Sequence, residues 1–193
     1  VSKEVPPLAD PLGPENKLIF SAGILAGTSA PNNGRLSVGA KSPLTNTIKE
    51  ANSGGAVAQK LVRLGLQAVV IEGSAKELTS LRIDKYGVRF VPAASYRNLG
   101  NYEVIENIRR EFGDDTGVIS IGPAGEWKLK AASVAVTTPD FHIRVAARGG
   151  LGAVMGAKNL KAVAVRGTQR VEVHQPDSAA ELIKKYRQHI LKT

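Results

Sequence analysis

The 193 residues include no cysteine. That excludes disulfides, a thiolate nucleophile, cysteine-ligated zinc and an iron–sulfur cluster held by this chain alone. Aromatic residues make up 5%, with a single Trp, which disfavours the stacking platforms that bind single-stranded nucleic acid. Histidine is scarce as well: His142, His174 and His189 are the three present. None has metal-ligand spacing to another, and paired carboxylates at helical intervals are absent. A Gly-x-Ser-x-Gly elbow is also missing, so no self-contained enzyme is visible. Apolar runs fall far short of the ~20 residues a bilayer crossing needs, so no membrane span is expected. The opening Val1-Ser2-Lys3-Glu4-Val5-Pro6-Pro7 carries no apolar core of a secretory signal, which leads to the expectation of a cytoplasmic protein.

What remains is an ordinary globular composition, 42% hydrophobic and 22% charged, on a chain of one domain's length with room for an appendage. The charge is uneven. Lys and Arg number 26 against 17 acids, a balance of +9. Between Lys128 and Arg166 stand Lys128, Lys130, Arg144, Arg148, Lys158, Lys161 and Arg166 against Asp140, so this stretch carries +6 of the total. With Phe141 its one aromatic residue, the stretch suits a compact anion better than a polymer. Lys128, Lys130 and Lys161 alternate with apolar residues and fit a solvated sheet face equally well.

Periodicity predicts a strand at 18–20 and a turn-rich loop from Gly27 to Gly34. Arg35 to Ser42 alternates, with Leu36, Val38 and Ala40 on one face and Arg35, Ser37, Gly39 and Lys41 on the other, leaving a polar face free for a ligand. Asn52-Ser53-Gly54-Gly55 leads into a helix over 56–64. Strands are predicted at 68–72, 118–121, 130–137, 160–165 and 171–173, and a hairpin at 81–84 and 88–91. An amphipathic helix spans 101–112 and another 177–191. The segment 122–126 reads as a turn. Gly149 to Lys158 has the glycines of a phosphate-binding loop, with Arg148 and Lys158 as flanking charges, yet fits neither the Walker A nor the dinucleotide fingerprint; turns alone explain the glycines as well.

Ser21-Ala22-Gly23, Gly27-Thr28-Ser29-Ala30-Pro31, Gly34-Arg35, Lys41-Ser42-Pro43-Leu44-Thr45, Ala51-Asn52-Ser53-Gly54-Gly55, Ile121-Gly122-Pro123-Ala124-Gly125-Glu126 and the run from Arg148 to Ala162 occur in one order and spacing. Together they resemble the N-terminal domain of the tungsten- or molybdenum-containing aldehyde ferredoxin oxidoreductase family, from about Asp10 to Gly167. The resemblance implies an α+β fold, a β-rich saddle of two sheets with a few flanking helices. Two pterin-dithiolene cofactors lie on that saddle, their phosphates bridged by magnesium. It further implies that Arg35 contacts the pterin and that the Asn52 backbone carbonyl coordinates magnesium, with Ser53, Gly54 and Gly55 close to the phosphate. In the second loop it makes Arg144 a phosphate or pterin contact and Val145 the other magnesium carbonyl, with Ala146, Arg148, Gly149 and Gly150 completing the cofactor site. Val145 stands where a smaller residue is usual, and Ala147 where glycine is common.

By the same resemblance, the 4Fe-4S cluster and the catalytic groups belong to later domains, so no catalytic residue is assigned here and the chain alone should be inactive. Residues 10–167 are then the pterin-cofactor-binding N-terminal domain, without the family's first strands, and 168–193 a C-terminal helix opening a following region. A fragment or split subunit is expected. Its partners would be the remaining domains or subunit and ferredoxin as electron acceptor for aldehyde oxidation to carboxylic acid, with a homo-oligomer allowed. Two other functions fit the residues: a stand-alone phosphate- or nucleic-acid-binding basic module, and a ligand-free structural domain.

Overall fold

The computed structural model describes residues 1–191. Residues 1–17 run as successive turns. They are tied down by Asn16, which is fully buried, donating to Pro11 O and Lys41 O and accepting from Lys41 N. The regular elements begin with β1 (Leu18–Ala22), β2 (Arg35–Lys41) and β3 (Ile48–Gly54), followed by α1 (Val57–Val62) and β4 (Ala68–Ile71). The four strands form one antiparallel sheet in the order β3-β2-β1-β4. Strand periodicity explains its two faces. Leu18, Phe20, Leu36, Val38 and Ala51 turn inward and are buried, while Ser37, Gly39 and Asn52 lie on the open face. Lys41 departs from this pattern. It is buried, and its Nζ donates to the carbonyls of Pro7 and Ala9, so the N-terminal turns close that end of the face.

The second sheet is built from β5 (Thr79–Asp84), β6 (Gly87–Pro92), β7 (Gly117–Ser120), β8 (Val134–Thr137), β9 (Ile143–Ala146) and β10 (Leu160–Val165). Its order is β6-β5-β10-β7-β8-β9, with β10 parallel to β5 and antiparallel to β7. Being central, β10 is buried at all six positions, which explains its unbroken apolar character apart from Lys161. Leu81, Ile119, Val134 and Val163 pack against the first sheet. The opposite face receives α2 (Asn101–Phe112) through Val104, Ile105 and Ile108, against Val118, Ala162 and Ala164. The layers are therefore sheet, sheet, helix. Each fully buried Leu, Ile or Phe contributes roughly 1.5–3 kcal/mol to holding them together.

Two short helices, α3 (Pro123–Glu126) and α4 (Leu151–Ala157), pack on one another at the end of the interlayer core. Here the expectation of a phosphate loop or turn from Gly149 to Lys158 is corrected. Gly150 precedes α4 with φ +67°, and a Cβ there would lie 1.7 Å from Lys130 O; a Cβ on Gly156 would lie 1.8 Å from Gly125 O. The glycines serve close backbone approach in a buried helix. Lys158 is buried too, its Nζ donating to Asn16 O and, at 2.9 Å, to Gly73 O, so its charge is spent on carbonyls inside the chain. Burial holds this ammonium below the usual lysine pKa.

Other expectations also change. Lys161 is not on a solvated face but fully buried against Glu126. Residues 171–173 have no regular structure, and the 130–137 strand is regular only over β8. β3, β9 and α4 were not anticipated, and 122–126 contains the single turn of α3. The last element, α5 (Pro176–Ile190), has no buried residue; its contacts with the rest include Arg187 Nη2 to Ser29 O at 3.0 Å. It lies in the segment 168–193, of which residues 192 and 193 are outside the described residues. No helix among the described residues is long and apolar enough to cross a membrane.

Candidate functional site

β3 is an edge strand of the first sheet and β9 an edge strand of the second. They lie side by side where the sheets meet; just past β3, Ala56 N donates to Thr137 O at the end of β8, the strand paired with β9, at 2.8 Å, while Gly55 N to Gly34 O at 3.0 Å continues the pairing of the first sheet. On the open face of the first sheet, Ser37 is directly opposite Asn52 and Gly39 opposite Glu50. Arg35 is two residues along from Ser37, so its side chain reaches diagonally and donates to Asn52 Oδ1. From the other sheet, β9 and the residues after it bring Val145, Ala147 and Arg148.

Between these two walls lies a cavity of about 390 Å³ lined by Arg35, Glu50, Ala51, Asn52, Val145, Ala147 and Arg148. Among the described residues, the Glu50 carboxylate and the Arg148 guanidinium have no hydrogen-bond or ion-pair partner within the chain. Guanidinium groups present fork-like donors suited to phosphate and planar heterocycles, and a carboxylate accepts two parallel N–H bonds. A second cavity of about 570 Å³ shares Arg35 and is lined by the amides Asn32, Asn33 and Gln59 together with Gly34, Gly54 and Gly55. Arg35 thus stands at the junction of both.

Of the residues expected at the site, Arg35, Asn52, Val145 and Arg148 line the first cavity, and Gly54 and Gly55 the second. Ser53 and Ala146 are buried on the inward faces of their strands, so only their backbone atoms are available to a ligand. Gly149 and Gly150 are buried as well. Ser42 Oγ donates to Gly149 O at 2.7 Å, which clips the second loop to the start of the first. Arg144 is exposed on β9 but lines neither cavity; it shares its face with Val136. Near it, the Thr138 hydroxyl holds the Asp140 carboxyl below the usual range, helped by the Asp140 backbone, His142 and Arg144.

Ala147 is not among the residues with positive φ, so the alanine in place of a common glycine fits its backbone without strain. Edge strands leave alternate carbonyls without ladder partners, and both Asn52 and Val145 sit on such strands. Among the described residues no three His, Cys, Asp or Glu side chains cluster as a metal site. Any cation here would be held by carbonyl, water or ligand oxygens with at most the single carboxylate of Glu50, a donor set that suits magnesium. Glu50 had no signal in the sequence beyond its place two residues before Asn52.

Residues 1–167 match the family model described as aldehyde ferredoxin oxidoreductase, N-terminal domain. The tungsten-containing aldehyde ferredoxin oxidoreductase of Pyrococcus abyssi is 45% identical over 183 residues, covering 94% of this chain and 30% of that protein. The enzyme of the same name from Pyrococcus furiosus is 45% identical over 172 residues, covering 89% and 28%. A solved structure, the active-site complex BamBC of benzoyl coenzyme A reductase with 1,5-dienoyl-CoA, superposes with a TM-score of 0.94 at 35% identity, covering 99% of this chain and 29% of that one. The chain thus spans about a third or less of the proteins it matches. With an antiparallel sheet packed on a mixed one and these likenesses in agreement, the chain belongs to the aldehyde ferredoxin oxidoreductase family and corresponds to its N-terminal domain.

Proposed function

We propose that the chain is the cofactor-cradling part of a tungsten- or molybdenum-pterin oxidoreductase that oxidises aldehydes to carboxylic acids and passes electrons to ferredoxin. One observation carries this reading: two loops more than 90 residues apart converge on one polar cavity that holds arginine and carboxylate side chains without partners of their own. The tungsten named in the relatives supports the metal.

In this reading Arg35 and Arg148 receive the phosphate and pterin ring, and Glu50 accepts N–H groups from the heterocycle edge. Arg144 extends the positive field at the rim. The backbone carbonyls of Asn52 and Val145 would hold magnesium, and Gly54 and Gly55 would let a phosphate approach the backbone of the second cavity. Gly149 and Gly150, with Ser53 and Ala146, support these loops from behind. When bound, such a cofactor supplies two-electron oxidation of the aldehyde. The chain's own residues bind, orient and neutralise it. The cluster would draw its thiolates from other domains or a partner subunit, since this chain has no cysteine, and the family resemblance puts the catalytic groups there too.

The test is elemental analysis for tungsten, molybdenum, iron and magnesium on the full natural gene product, purified with whatever completes it. Stoichiometric tungsten or molybdenum with iron is expected, and Arg35→Ala or Arg148→Ala should deplete it. A folded, metal-free complex whose affinity for polynucleotide falls steeply with salt would instead identify a basic binding module. One that is metal-free and binds nothing would identify a structural domain.

A further inference from the structure

The wall contributed by β9 is the less secure of the two. β9 has four residues, pairs with β8 alone in its sheet, and follows a tight turn. That turn is closed by Phe141 N to Thr138 O at 3.0 Å and Thr138 N to His142 O at 2.9 Å. At its tip Phe141 has φ +62°, a left-handed conformation unfavourable for a bulky side chain. The Thr138 hydroxyl braces the turn from within, bonding to Asp140 Oδ1 and His142 O, but neither bond reaches the Phe141 side chain, which is held from outside the hairpin.

The structure supplies that element. The Arg109 guanidinium of α2 lies over the Phe141 ring, 3.4 Å from its centroid. Arg109 is itself oriented from behind, since its Nε donates to Asp114 O at 3.1 Å and its Nη2 lies 3.9 Å from Asp114 Oδ1. α2 is anchored in turn by Val104, Ile105 and Ile108, and the neighbouring Ile143 packs against the same cluster. A continuous chain of contacts therefore runs from the helix core through Asp114, Arg109 and Phe141 to β9.

We infer that Arg109 is a positioning residue for the cavity: by clamping Phe141 it fixes the hairpin that presents Arg144 and Val145 and aims the following Arg148. The effect on cofactor rests on the reading proposed above; the clamp itself does not. It is tested in the full natural protein by amide hydrogen exchange and by metal analysis of the same samples.

In Arg109→Ala, amides of residues 138–148 should exchange at least tenfold faster, while those of β5 and β6 stay unchanged. Arg109→Lys, which keeps a cation over the ring, should restore most of the protection. Phe141→Leu should reproduce the Arg109→Ala pattern from the other side of the contact, and serves alone if Arg109→Ala does not fold. Tungsten or molybdenum content should fall severalfold with the loss of the clamp. Unchanged exchange at 138–148, or acceleration spread uniformly over the chain, overturns the inference. So does full metal content in Arg109→Ala when Arg148→Ala is depleted. Full metal content in Arg148→Ala overturns the reading of the cavity instead, and the exchange data then decide the clamp independently.

Discussion

Lys161 Nζ meets Glu126 Oε1 at 2.5 Å with their side chains 0% and 5% exposed. Both ions have further partners: Lys161 donates to Leu99 O at 2.9 Å, and the Glu126 carboxylate accepts from Asn98 N at 3.1 Å. The pair thereby joins β10, α3 and the loop entering α2.

Removing one partner leaves the other charge buried and unpaired, so Lys161→Met should lower stability by about 3–5 kcal/mol. Urea unfolding measures it, and a loss under ~1 kcal/mol would mean that the carboxylate reaches water. Lys161→Met with Glu126→Gln should cost less than the sum of the single changes.

Replacing a helical glycine by alanine ordinarily gains about 1 kcal/mol. Gly156→Ala should do the reverse, because its Cβ would overlap Gly125 O at 1.8 Å. A loss of at least ~2 kcal/mol is expected, as for overpacked cores generally. Gly39→Ala is the control. A Cβ there would meet only Lys49 O, at an ordinary 4.0 Å, and its φ is ordinary, so its stability should not fall by more than ~0.5 kcal/mol.

Burial first, and then the hydrogen bond to Glu111, push the Tyr96 phenol up to about 12 from its usual 10. The folded-state value is the higher one, so this stabilisation is complete below pH 10 and is lost as pH rises toward 12. Unfolding measured from pH 7 to 11.5 should show that alkaline decline. Tyr96→Phe should flatten it, at a cost of about 1 kcal/mol at pH 7. An identical slope in the variant would assign the decline to other groups.

Lys128 and Lys130 are exposed and line neither cavity. Lys128→Gln with Lys130→Gln should therefore change stability by under ~0.5 kcal/mol per site and leave metal content intact. Depletion equal to that of Arg148→Ala would make total charge, rather than placed charge, the determinant.

Much of this architecture was written in local patterns. α2 was delimited correctly because an apolar stripe lies between Gly100 and Gly113. The two faces of β2 followed from strict alternation, failing only at Lys41, which the N-terminal turns cover. β3 was hidden because Glu50, Asn52 and Gly54 are poor strand formers; seven residues of pairing with β2 override that preference. α4 was hidden because its glycines lower helix propensity while permitting the close packing that stabilises it. Val171 and Val173 alternate like a strand but find no neighbour.

At the site, the resemblance pointed to two loops, and the structure brings residues of both to one cavity and shows which of them turn outward. Glu50 and Arg109 were out of reach. Nothing in the sequence around them points to Arg148 or Phe141: Glu50 shares a cavity with the one, and Arg109 contacts the other, only across separate elements. Lys158 and Lys161 misled for the complementary reason: a lysine's sequence context does not reveal that carbonyls or a carboxylate await it inside.

The insertion of β10 between β5 and β7 also has a temporal side. β5 ends at Asp84, and the strand that must lie beside it begins at Leu160, about 75 residues later. At ~5–20 residues per second, a ribosome needs on the order of 4–15 s to deliver it. Until then the β5–β6 hairpin and the β7–β9 meander are separate pieces with bare edges, and joining them means closing a long loop at an entropic cost that local hairpins do not carry. A nascent chain stalled before Leu160 would offer those edges to chaperones or to other nascent chains.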